Sequence, residues 1–371
     1  MSVSTRVGIA LGERSYEVII GPGLLASAGT LIREAGLPQR HAWVLTNGPV
    51  GDLYFDPLRT ALEQAGFAQV VRHDIPAGED GKNWDELSRA CAALVSGFPE
   101  TGTVPLVVLL GGGVVGDLGG FAAGLFRRGV PFVQIPTTLL AAVDSSVGGK
   151  VAVNFGGVKN ILGIFNQPSL VLCDLLTLRS LPPRELSGGM AEVIKYAAVC
   201  SRELFERLEG GDLERILALD PAVLSEVVAT CVRLKGAVVE QDERDQLGVR
   251  NVLNFGHTFG HGLELSADYA LTHGEAVAIG MCAATHLAEA LGMNAPDFRT
   301  RLRNLIERAG LPTTFPDSPG LFDRIVRAMQ LDKKFREGRN VFVLPTGIGT
   351  WQQCENVNWP TVHAALRSVL R

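Results

Sequence analysis

Short apolar runs recur through the first half of the chain, and stretches with helical spacing separate several of them. The runs cover residues 16–20, 42–45, 106–110, 132–135 and 170–173, and the helical stretches include 57–65 and 84–94. Strands that alternate with helices are typical of a parallel sheet covered by helices, so the predicted fold class is α/β. An additional run, 7–11, is separated from 16–20 by Gly12 and Glu13, which predicts an antiparallel pair at the start of the chain.

The pattern changes after residue 180, where helical spacing replaces the alternation. Apolar residues recur at helical intervals in 204–208, 223–239 and 298–309, and strand-like runs follow at 341–344 and 347–351. Ser180 precedes Pro182 and Pro183, and a serine shortly before proline commonly marks a helix start, so Ser180 is the predicted N-cap. We therefore predict an α/β domain over residues 1–179 and a mainly helical domain over 180–371.

The composition narrows the classes of protein. Of the 371 residues, 46% are hydrophobic and 20% are charged, which is typical of a globular protein with a large core. The net charge of −5 argues against a nucleic-acid or anionic-membrane partner, and no apolar run reaches the roughly 18 residues of a membrane span. No C-x-x-C pair occurs among the six cysteines, and the first residues lack the apolar core of a signal peptide. These features predict a cytoplasmic protein.

A glycine-rich turn follows the run 106–110. Residues 111–116 read GGGVVG, which matches G-x-G-x-x-G between a strand and a helix. Glycines let a diphosphate approach the backbone, and a helix N-terminus favours its negative charge. The motif lies far from the start of the domain, and no acidic residue follows a strand about 20 positions later. Both a dinucleotide site of variant geometry and a tight turn without a ligand therefore remain open.

Three of the seven histidines, His257, His261 and His273, lie within one short segment. His257 and His261 share a face if the segment is helical, and neutral imidazole is the commonest ligand for zinc-like metals. Glu192 and Lys195 lie among apolar residues, where a charge needs a partner or a metal. The sequence thus predicts a metal site built from histidines and a carboxylate. Several basic residues in apolar surroundings suit a substrate that carries both a phosphate and a carboxylate.

The segments 111–123, 135–154, 181–196 and 251–261 resemble the motifs of the 3-dehydroquinate synthase family of sugar-phosphate cyclases. The resemblance runs from residue 12 to at least residue 334 and implies a Rossmann-like, NAD-binding N-terminal domain with a parallel sheet, followed by a helical domain with metal and substrate residues. It implies Glu192, His257 and His273 as the ligands of a divalent metal, with zinc as the usual ion and cobalt as a second candidate. This set replaces the pair His257 and His261 that spacing alone suggests.

The resemblance also implies the residues that contact the cofactor and the substrate. The implied NAD contacts are Asn47, Glu79, Lys82, Gly112, Gly113, Asp117, Thr137, Thr138, Asp144, Lys159, Ser180, Leu181 and Glu185. The implied substrate contacts are Lys150, Asn160, Lys195, Lys235, Arg250, Asn254, His261 and either Lys333 or Lys334, with Asp144 assisting proton movement. Arg128 matches an arginine that the family inserts from a neighbouring subunit, which implies a homodimer.

The implied reaction converts 3-deoxy-D-arabino-heptulosonate 7-phosphate into 3-dehydroquinate and phosphate in the shikimate pathway of aromatic amino acid biosynthesis. Oxidation, phosphate elimination, reduction and an intramolecular aldol step would follow one another on one bound substrate. The alternatives are another sugar-phosphate cyclase, above all an aminodehydroquinate synthase, a metal-dependent polyol dehydrogenase, and a non-catalytic scaffold. Arg250, Asn160 and Asn254 keep the dehydroquinate-type pattern, which argues against valiolone-type and deoxyinosose synthases. The loop 242–250 is longer than usual and 267–271 is shorter, which leaves the substrate open within the cyclases.

Overall fold

The computed structural model describes residues 4–38, 40–100, 104–267, 270–294, 296–330 and 339–371. The chain divides into two units, the first made of Met1–Leu181 and Leu224–Arg244 and the second of Pro182–Val223 and Asp245–Arg371. The segment Leu224–Arg244 returns to the first unit, in which the amide of Ala10 donates to Glu240 and Arg14 pairs with Glu243. The division predicted at residue 180 instead assigns Leu224–Arg244 to the helical domain.

The first unit is built on a seven-stranded, mostly parallel sheet. Its strands are β1 (Thr5–Ile9), β2 (Tyr16–Gly21), β3 (His41–Asn47), β4 (Gln69–Ile75), β5 (Leu106–Gly111), β6 (Phe132–Pro136) and, after a separate hairpin of β7 (Lys150–Phe155) and β8 (Val158–Phe165), β9 (Leu170–Asp174). The strand order is β1-β2-β9-β6-β5-β3-β4, and only the edge pair β1–β2 is antiparallel. The predicted α/β class, the parallel sheet and the N-terminal antiparallel pair are confirmed.

Among the described residues of the first half of the chain, this unit contains the helices α1 (Ala28–Glu34), α2 (Gly48–Gln64), α3 (Trp84–Gly97) and α4 (Gly113–Leu125). The central strand β5 is apolar throughout because both of its faces are covered. Leu106 and Val108 belong to a core cluster that includes residues of α1 and α2, and Val107 and Leu109 belong to another that includes residues of α3 and α4. A parallel strand buried on both faces reads as a continuous apolar run.

The second unit is mainly helical. It contains α5 (Pro183–Cys200), α6 (Arg202–Arg207), α7 (Leu213–Leu217) and the start of α8 (Pro221–Gln241), then α9 (His257–Ser266), α10 (His273–Ala290), α11 (Pro296–Arg308) and α12 (Leu321–Gln330). A hairpin of β10 (Val341–Gly347) and β11 (Thr350–Glu355) and a final helix, α13 (Trp359–Arg367), complete it. The mainly helical character predicted for this part of the chain is confirmed.

Local start signals were less reliable than the apolar pattern. Ser180 is not the N-cap of α5, because it ends the 3-10 helix Leu175–Ser180 and the N-cap position is Pro182. The predicted helix 57–65 begins earlier, at Gly48, since Asn47 caps α2 and Pro57 is tolerated inside it. The last strand begins at Thr350 rather than at residue 347 because a turn separates it from β10.

None of the helices in the described part of the chain has the length and apolar character that a bilayer crossing requires.

Candidate active site

Close packing of three helices in the second unit brings its candidate metal ligands together. Glu192 lies in the middle of α5, and His257 and His273 are the first residues of α9 and α10. A Cβ atom on Gly274 would stand 2.1 Å from the carbonyl oxygen of Gly188, so the start of α10 touches the backbone of α5. Only glycine permits so close an approach, and this contact lies one helical turn from Glu192.

The potential ligand atoms of Glu192, His257 and His273 all lie within 4.8 Å of one another. Oε1 of Glu192 is 3.5 Å from Nε2 of His257 and 3.6 Å from Nε2 of His273. The Nδ1 atom of His257 faces the carbonyl oxygen of Phe255 at 3.1 Å, and Nδ1 of His273 faces Oε2 of Glu264 at 3.4 Å. An Nδ1–H that donates to these oxygens leaves Nε2 of each ring as the atom that can bind a metal when the ring is neutral.

The charges at this cluster are held in a buried environment. Glu192 is 1% exposed and forms an ion pair with Lys195, itself 2% exposed. Burial raises the pKa of Glu192, but the Lys195 ammonium and then the imidazoles of His257 and His273 hold that pKa well below its usual range. The carboxylate is therefore ionised at neutral pH and available as a ligand.

The two imidazoles differ in protonation. Burial holds the pKa of His257 well below its usual range, so its ring is neutral. For His273, burial lowers the pKa, but the carboxylates of Glu192 and Glu264 outweigh it and raise the pKa to about 9. A metal ion entering the site must therefore displace a proton from His273, as coordination by imidazole requires.

These residues fit a divalent cation. Neither oxygen of Glu192 accepts a well-formed hydrogen bond from the part of the chain that the structure describes, although both are buried. One carboxylate and two imidazoles are a common set of zinc ligands, and three protein ligands leave a position open for a substrate. The carboxylate of Glu192 and the imidazoles of His257 and His273 therefore form a donor set that suits a divalent cation.

Other predicted substrate residues of the second unit surround the same helices. His261 lies one turn after His257 on α9, and its ring centroid is 5.3 Å from that of His257 and 6.0 Å from that of His273. Arg250 is 3% exposed, and Asn254 ends the same short helix, Val249–Asn254, just before α9. This unit therefore presents cationic and amide groups on the segment that leads into the histidine cluster.

The predicted cofactor residues of the first unit follow the carboxyl ends of neighbouring strands. Asn47 is the last residue of β3, Gly112 and Gly113 follow β5, and Thr137 and Thr138 follow β6. These strands are adjacent and parallel, so their ends share one edge of the sheet, which is where open α/β sheets bind ligands. A Cβ on Gly112 would meet Cγ2 of Thr138 at 2.9 Å, and α4 starts at Gly113.

This edge fits a dinucleotide. The hydroxyl oxygen of Thr137 is buried and has no hydrogen-bond partner among the described residues. The backbone amides at the start of α4 can donate hydrogen bonds to a diphosphate, and the glycines of the preceding turn let a diphosphate approach the backbone. The predicted alternative of a tight turn without a ligand leaves the Thr137 hydroxyl unexplained.

Four more of the predicted cofactor residues make contacts within the first unit. Lys82 pairs with Asp117, and burial raises the pKa of Asp117 although Lys82 opposes this shift. Glu79 accepts a hydrogen bond from Asn154 at 2.8 Å, and the Ser180 hydroxyl accepts one from Tyr54 at 2.7 Å. Lys159 and Leu181 are half-buried, and Glu185 is exposed in the first turn of α5 in the second unit.

The predicted substrate residues of the first unit lie near its loops. The ammonium of Lys235, on α8, is 3.0 Å from Oδ2 of Asp144 and donates to the Asp144 carbonyl oxygen at 2.8 Å. Lys150 begins β7, and Asn160 lies in β8 with a left-handed φ of 52°. Lys235 thus belongs to the first unit, where it pairs with Asp144, and is not part of the segment that precedes the histidines. Lys333 and Lys334 lie outside the described residues.

Two residues with contacts to this machinery were missed by the sequence analysis. Glu264 lies on the same face of α9 as His257 and His261, at i+7 and i+3, and helical spacing could have found it. Asn154 contacts Glu79 and Asn160, and no sequence pattern indicates these contacts because they join separate segments of the chain.

Comparison with known proteins points to one protein family. A family model described as the 3-dehydroquinate synthase N-terminal domain matches residues 72–188, and one described as the C-terminal domain matches residues 189–335. A 3-dehydroquinate synthase of Dehalococcoides mccartyi strain CBDB1 is 42% identical over 363 residues, which cover 98% of this chain and 99% of that protein.

Solved structures are similar over nearly the whole chain. A 2-epi-5-epi-valiolone synthase from Streptomyces hygroscopicus subsp. jinggangensis 5008, with NAD+ and Zn2+ bound, has 31% identity and a TM-score of 0.86 and covers 97% of this chain and 98% of its own. A 2-deoxy-scyllo-inosose synthase complexed with carbaglucose-6-phosphate, NAD+ and Co2+ has 25% identity and a TM-score of 0.87 and covers 99% of this chain and 100% of its own. From the two family models and the full-length identity, the chain belongs to the 3-dehydroquinate synthase family.

Proposed function

We propose that this chain is an enzyme that converts 3-deoxy-D-arabino-heptulosonate 7-phosphate into 3-dehydroquinate and phosphate, and that it requires NAD and a divalent metal. The observation that carries the proposal is the buried cluster of Glu192, His257 and His273, in a chain that is 42% identical to a 3-dehydroquinate synthase over 98% of its length. This places its reaction in the shikimate pathway of aromatic amino acid biosynthesis, within the carbon–oxygen lyases.

Zinc is the proposed metal, held by Glu192, His257 and His273, and cobalt is the second candidate. Two imidazoles and one carboxylate suit zinc, and the solved relatives carry Zn2+ or Co2+. When bound, NAD would supply hydride transfer in both directions, and a metal held by Glu192, His257 and His273 would supply Lewis-acid polarisation of a carbon–oxygen bond. The cofactor residues proposed are those at the strand ends of the first unit together with Glu79, Lys82, Asp117, Asp144, Lys159, Ser180, Leu181 and Glu185.

The substrate residues divide according to the two anionic groups of the substrate. Arg250 and Lys235 are proposed to hold the carboxylate, because charge-assisted donors bind carboxylates most strongly. Lys150, Asn160, Asn254 and His261 are proposed to hold the phosphate, and Lys334 or its neighbour Lys333 is proposed to reach the substrate. Fixing both ends of a flexible heptulosonate places its reacting carbons and restricts its rotation.

Lys195 and Asp144 are proposed to assist proton movement at the hydroxyl that is oxidised. Lys195 is buried beside Glu192, and Asp144 is next to the ammonium of Lys235, so each group is held in place by an oppositely charged neighbour. The departing phosphate is itself a base and can take the proton of the neighbouring carbon. A dedicated base for the elimination is therefore not required from the protein.

A carboxylate on the substrate distinguishes dehydroquinate chemistry from the reactions of the other cyclases. A guanidinium can bind a carboxylate through two parallel charge-assisted hydrogen bonds, so Arg250 supports a substrate that carries a carboxylate. A polyol dehydrogenase would need neither a phosphate clamp nor a carboxylate clamp.

The direct assay supplies the heptulosonate phosphate with NAD and Zn2+ and follows phosphate release together with the carbocyclic product. Release of phosphate without that product would contradict the proposed reaction.

We expect Arg250→Lys to lower kcat/KM by about ten- to hundred-fold, since a lysine cannot form the two parallel bonds of a guanidinium and loses one charge-assisted hydrogen bond. A substrate analogue without the carboxylate should bind the wild type poorly and the variant about equally poorly. His261→Ala is the matched control, because the loss of a phosphate contact should weaken the binding of the substrate and of the analogue by the same factor. If Arg250→Lys weakened the binding of the substrate and of the analogue by the same factor, Arg250 would have a role other than holding the carboxylate.

A homodimer is proposed from the surface around Arg128. Arg127 and Arg128 have φ angles of 53° and 66°, which are uncommon for residues other than glycine. Arg127 donates to the Phe98 carbonyl oxygen at 2.8 Å, whereas Arg128 is exposed and makes no ion pair within the described ranges. Leu125 and Phe165 are exposed apolar residues at the end of α4 and on β8. An arginine held outward at a strained turn suits insertion into a second copy of the chain.

We expect two inactive variants, Arg128→Ala and Lys195→Ala, to complement each other. In a mixed dimer one site combines the intact Lys195 of one subunit with the intact Arg128 of its partner, because an isologous dimer has two reciprocal contacts. Subunit exchange should therefore restore up to about half of the wild-type activity per mixed dimer. Mixed dimers that form and stay inactive would place Arg128 in its own subunit's site or outside any site.

The proposed location is the cytoplasm, and the proposed partners are a small anionic sugar phosphate and a second copy of the chain. The net charge of −5 supports the absence of a nucleic-acid or anionic-membrane partner.

A further inference from the structure

Asn154 lies opposite an irregular part of the hairpin in the first unit. In the ladder between β7 and β8, Phe155 pairs with Val158 and Val153 pairs with Leu162, so Asn154 alone stands opposite residues 159–161. Extra residues on one strand form a bulge, and bulges near active sites redirect side chains. This bulge contains Lys159 and Asn160, for which a cofactor contact and a substrate contact are proposed.

Three hydrogen bonds join Asn154 to this bulge and to the segment 79–82. Its Oδ1 accepts from the backbone amide of Asn160 at 2.9 Å, and its Nδ2 donates to Oε1 of Glu79 at 2.8 Å. Its own backbone amide donates to the carbonyl oxygen of Lys82 at 2.9 Å. The bond to Asn160 holds a residue whose φ of 52° is left-handed, a conformation that a non-glycine residue adopts at a cost.

We propose that Asn154 is a positioning residue that holds Glu79 and the bulge with Lys159 and Asn160 in one arrangement, so that cofactor and substrate phosphate are bound by a preformed surface. The inference rests on the proposed function, because the roles of Glu79, Lys159 and Asn160 belong to that proposal. Asparagine suits this position because its amide offers a donor to the carboxylate and an acceptor to the backbone amide at once. Aspartate keeps the acceptor and lacks the donor, and alanine lacks both.

The test measures the NAD dissociation constant of the metal-loaded protein by calorimetry, alongside the KM for the heptulosonate phosphate. Asn154→Asp breaks the bond to Glu79 and places two carboxylates together, so we expect the NAD dissociation constant to rise about tenfold with a smaller change in KM. Asn154→Ala releases the bulge as well, so both quantities should rise. Asn166→Asp is the matched control, since Asn166 follows β8 and its amide donates to the Gly120 carbonyl oxygen at 2.9 Å.

A compensating variant separates positioning from general damage to the fold. In the double variant with Glu79→Gln and Asn154→Asp, the donor and the acceptor exchange places. Asn154→Asp should therefore reduce the NAD affinity of the Glu79→Gln protein much less than it reduces that of the wild type. An NAD affinity of Asn154→Asp equal to that of the wild type would overturn the inference and leave the proposed function standing. An equal loss in Asn166→Asp, or fully additive losses in the double variant, would also overturn it. A wild-type protein that does not bind NAD would overturn the proposed function and this inference together.

Discussion

We expect the replacement of His257 or His273 by alanine to remove the divalent metal from this protein and with it the activity. Each change deletes one of three proposed ligands whose atoms lie within 4.8 Å of one another, and it leaves the Glu192 carboxylate buried with one imidazole fewer beside it. Loss of an outer hydrogen-bond partner alone typically costs ten- to hundred-fold in metal affinity, so loss of a ligand should cost more than about a hundredfold. Metal analysis after gel filtration should find less than stoichiometric metal in both variants.

His286→Ala is the matched control for these variants. His286 lies on α10, as His273 does, but it is close to Arg299 and away from the cluster, with 3.4 Å between its Nδ1 and Nη1 of Arg299. Its replacement should leave the bound metal and the activity close to those of the wild type. Full metal occupancy in both His257→Ala and His273→Ala would rule out the assigned ligand set.

We expect Gly274→Ala to destabilise the second unit and to weaken metal binding in one step. The added methyl group would stand 2.1 Å from the Gly188 carbonyl oxygen and 2.6 Å from its carbonyl carbon, and backbone atoms cannot turn aside. Overpacking of this kind typically costs about 1–3 kcal/mol. The same displacement moves His273 away from Glu192, so metal affinity should fall by at least about tenfold. Thermal unfolding and metal titration of the purified variant measure the two effects.

Gly210→Ala is the control for this substitution. A Cβ atom at Gly210, also in the second unit, would meet nothing within 4 Å, and its φ is not in the left-handed region. Its stability should change by no more than about 0.5 kcal/mol, with unchanged metal affinity. A Gly274→Ala protein as stable and as metal-loaded as Gly210→Ala would show that the contact between α5 and α10 does not set the geometry of the cluster.

The buried strands of the first unit were predictable because their environment leaves a simple pattern. Strand β5 is apolar at every position before its glycine, and the glycine-rich turn that follows it starts α4 as the motif indicates. The hairpin of β7 and β8 was not predicted, since β8 is largely exposed and Gly163 interrupts its pattern. The return of Leu224–Arg244 to the first unit was also hidden, because α8 has the same helical spacing whichever unit it packs against.

The candidate site was predictable in its residue types and less so in its geometry. Clustered histidines and a carboxylate among apolar residues indicated a metal, but helical spacing favoured the pair His257 and His261 over the pair with His273. The structure places Nε2 of His273 within 3.6 Å of Glu192 because α10 begins against α5, a contact between segments distant in the chain. Spacing within one helix cannot report such a contact.

If oxidation and reduction both occur within one turnover, NAD is not consumed, and this can be measured from the balance of NAD. Metal-loaded enzyme is supplied with excess 3-deoxy-D-arabino-heptulosonate 7-phosphate and a trace of NAD, and NADH absorbance, phosphate and carbocyclic product are followed together. We expect phosphate and product in equal amounts, each far exceeding the NAD supplied, without a steady rise in NADH. Accumulation of NADH in proportion to product would contradict this expectation and would indicate a dehydrogenase.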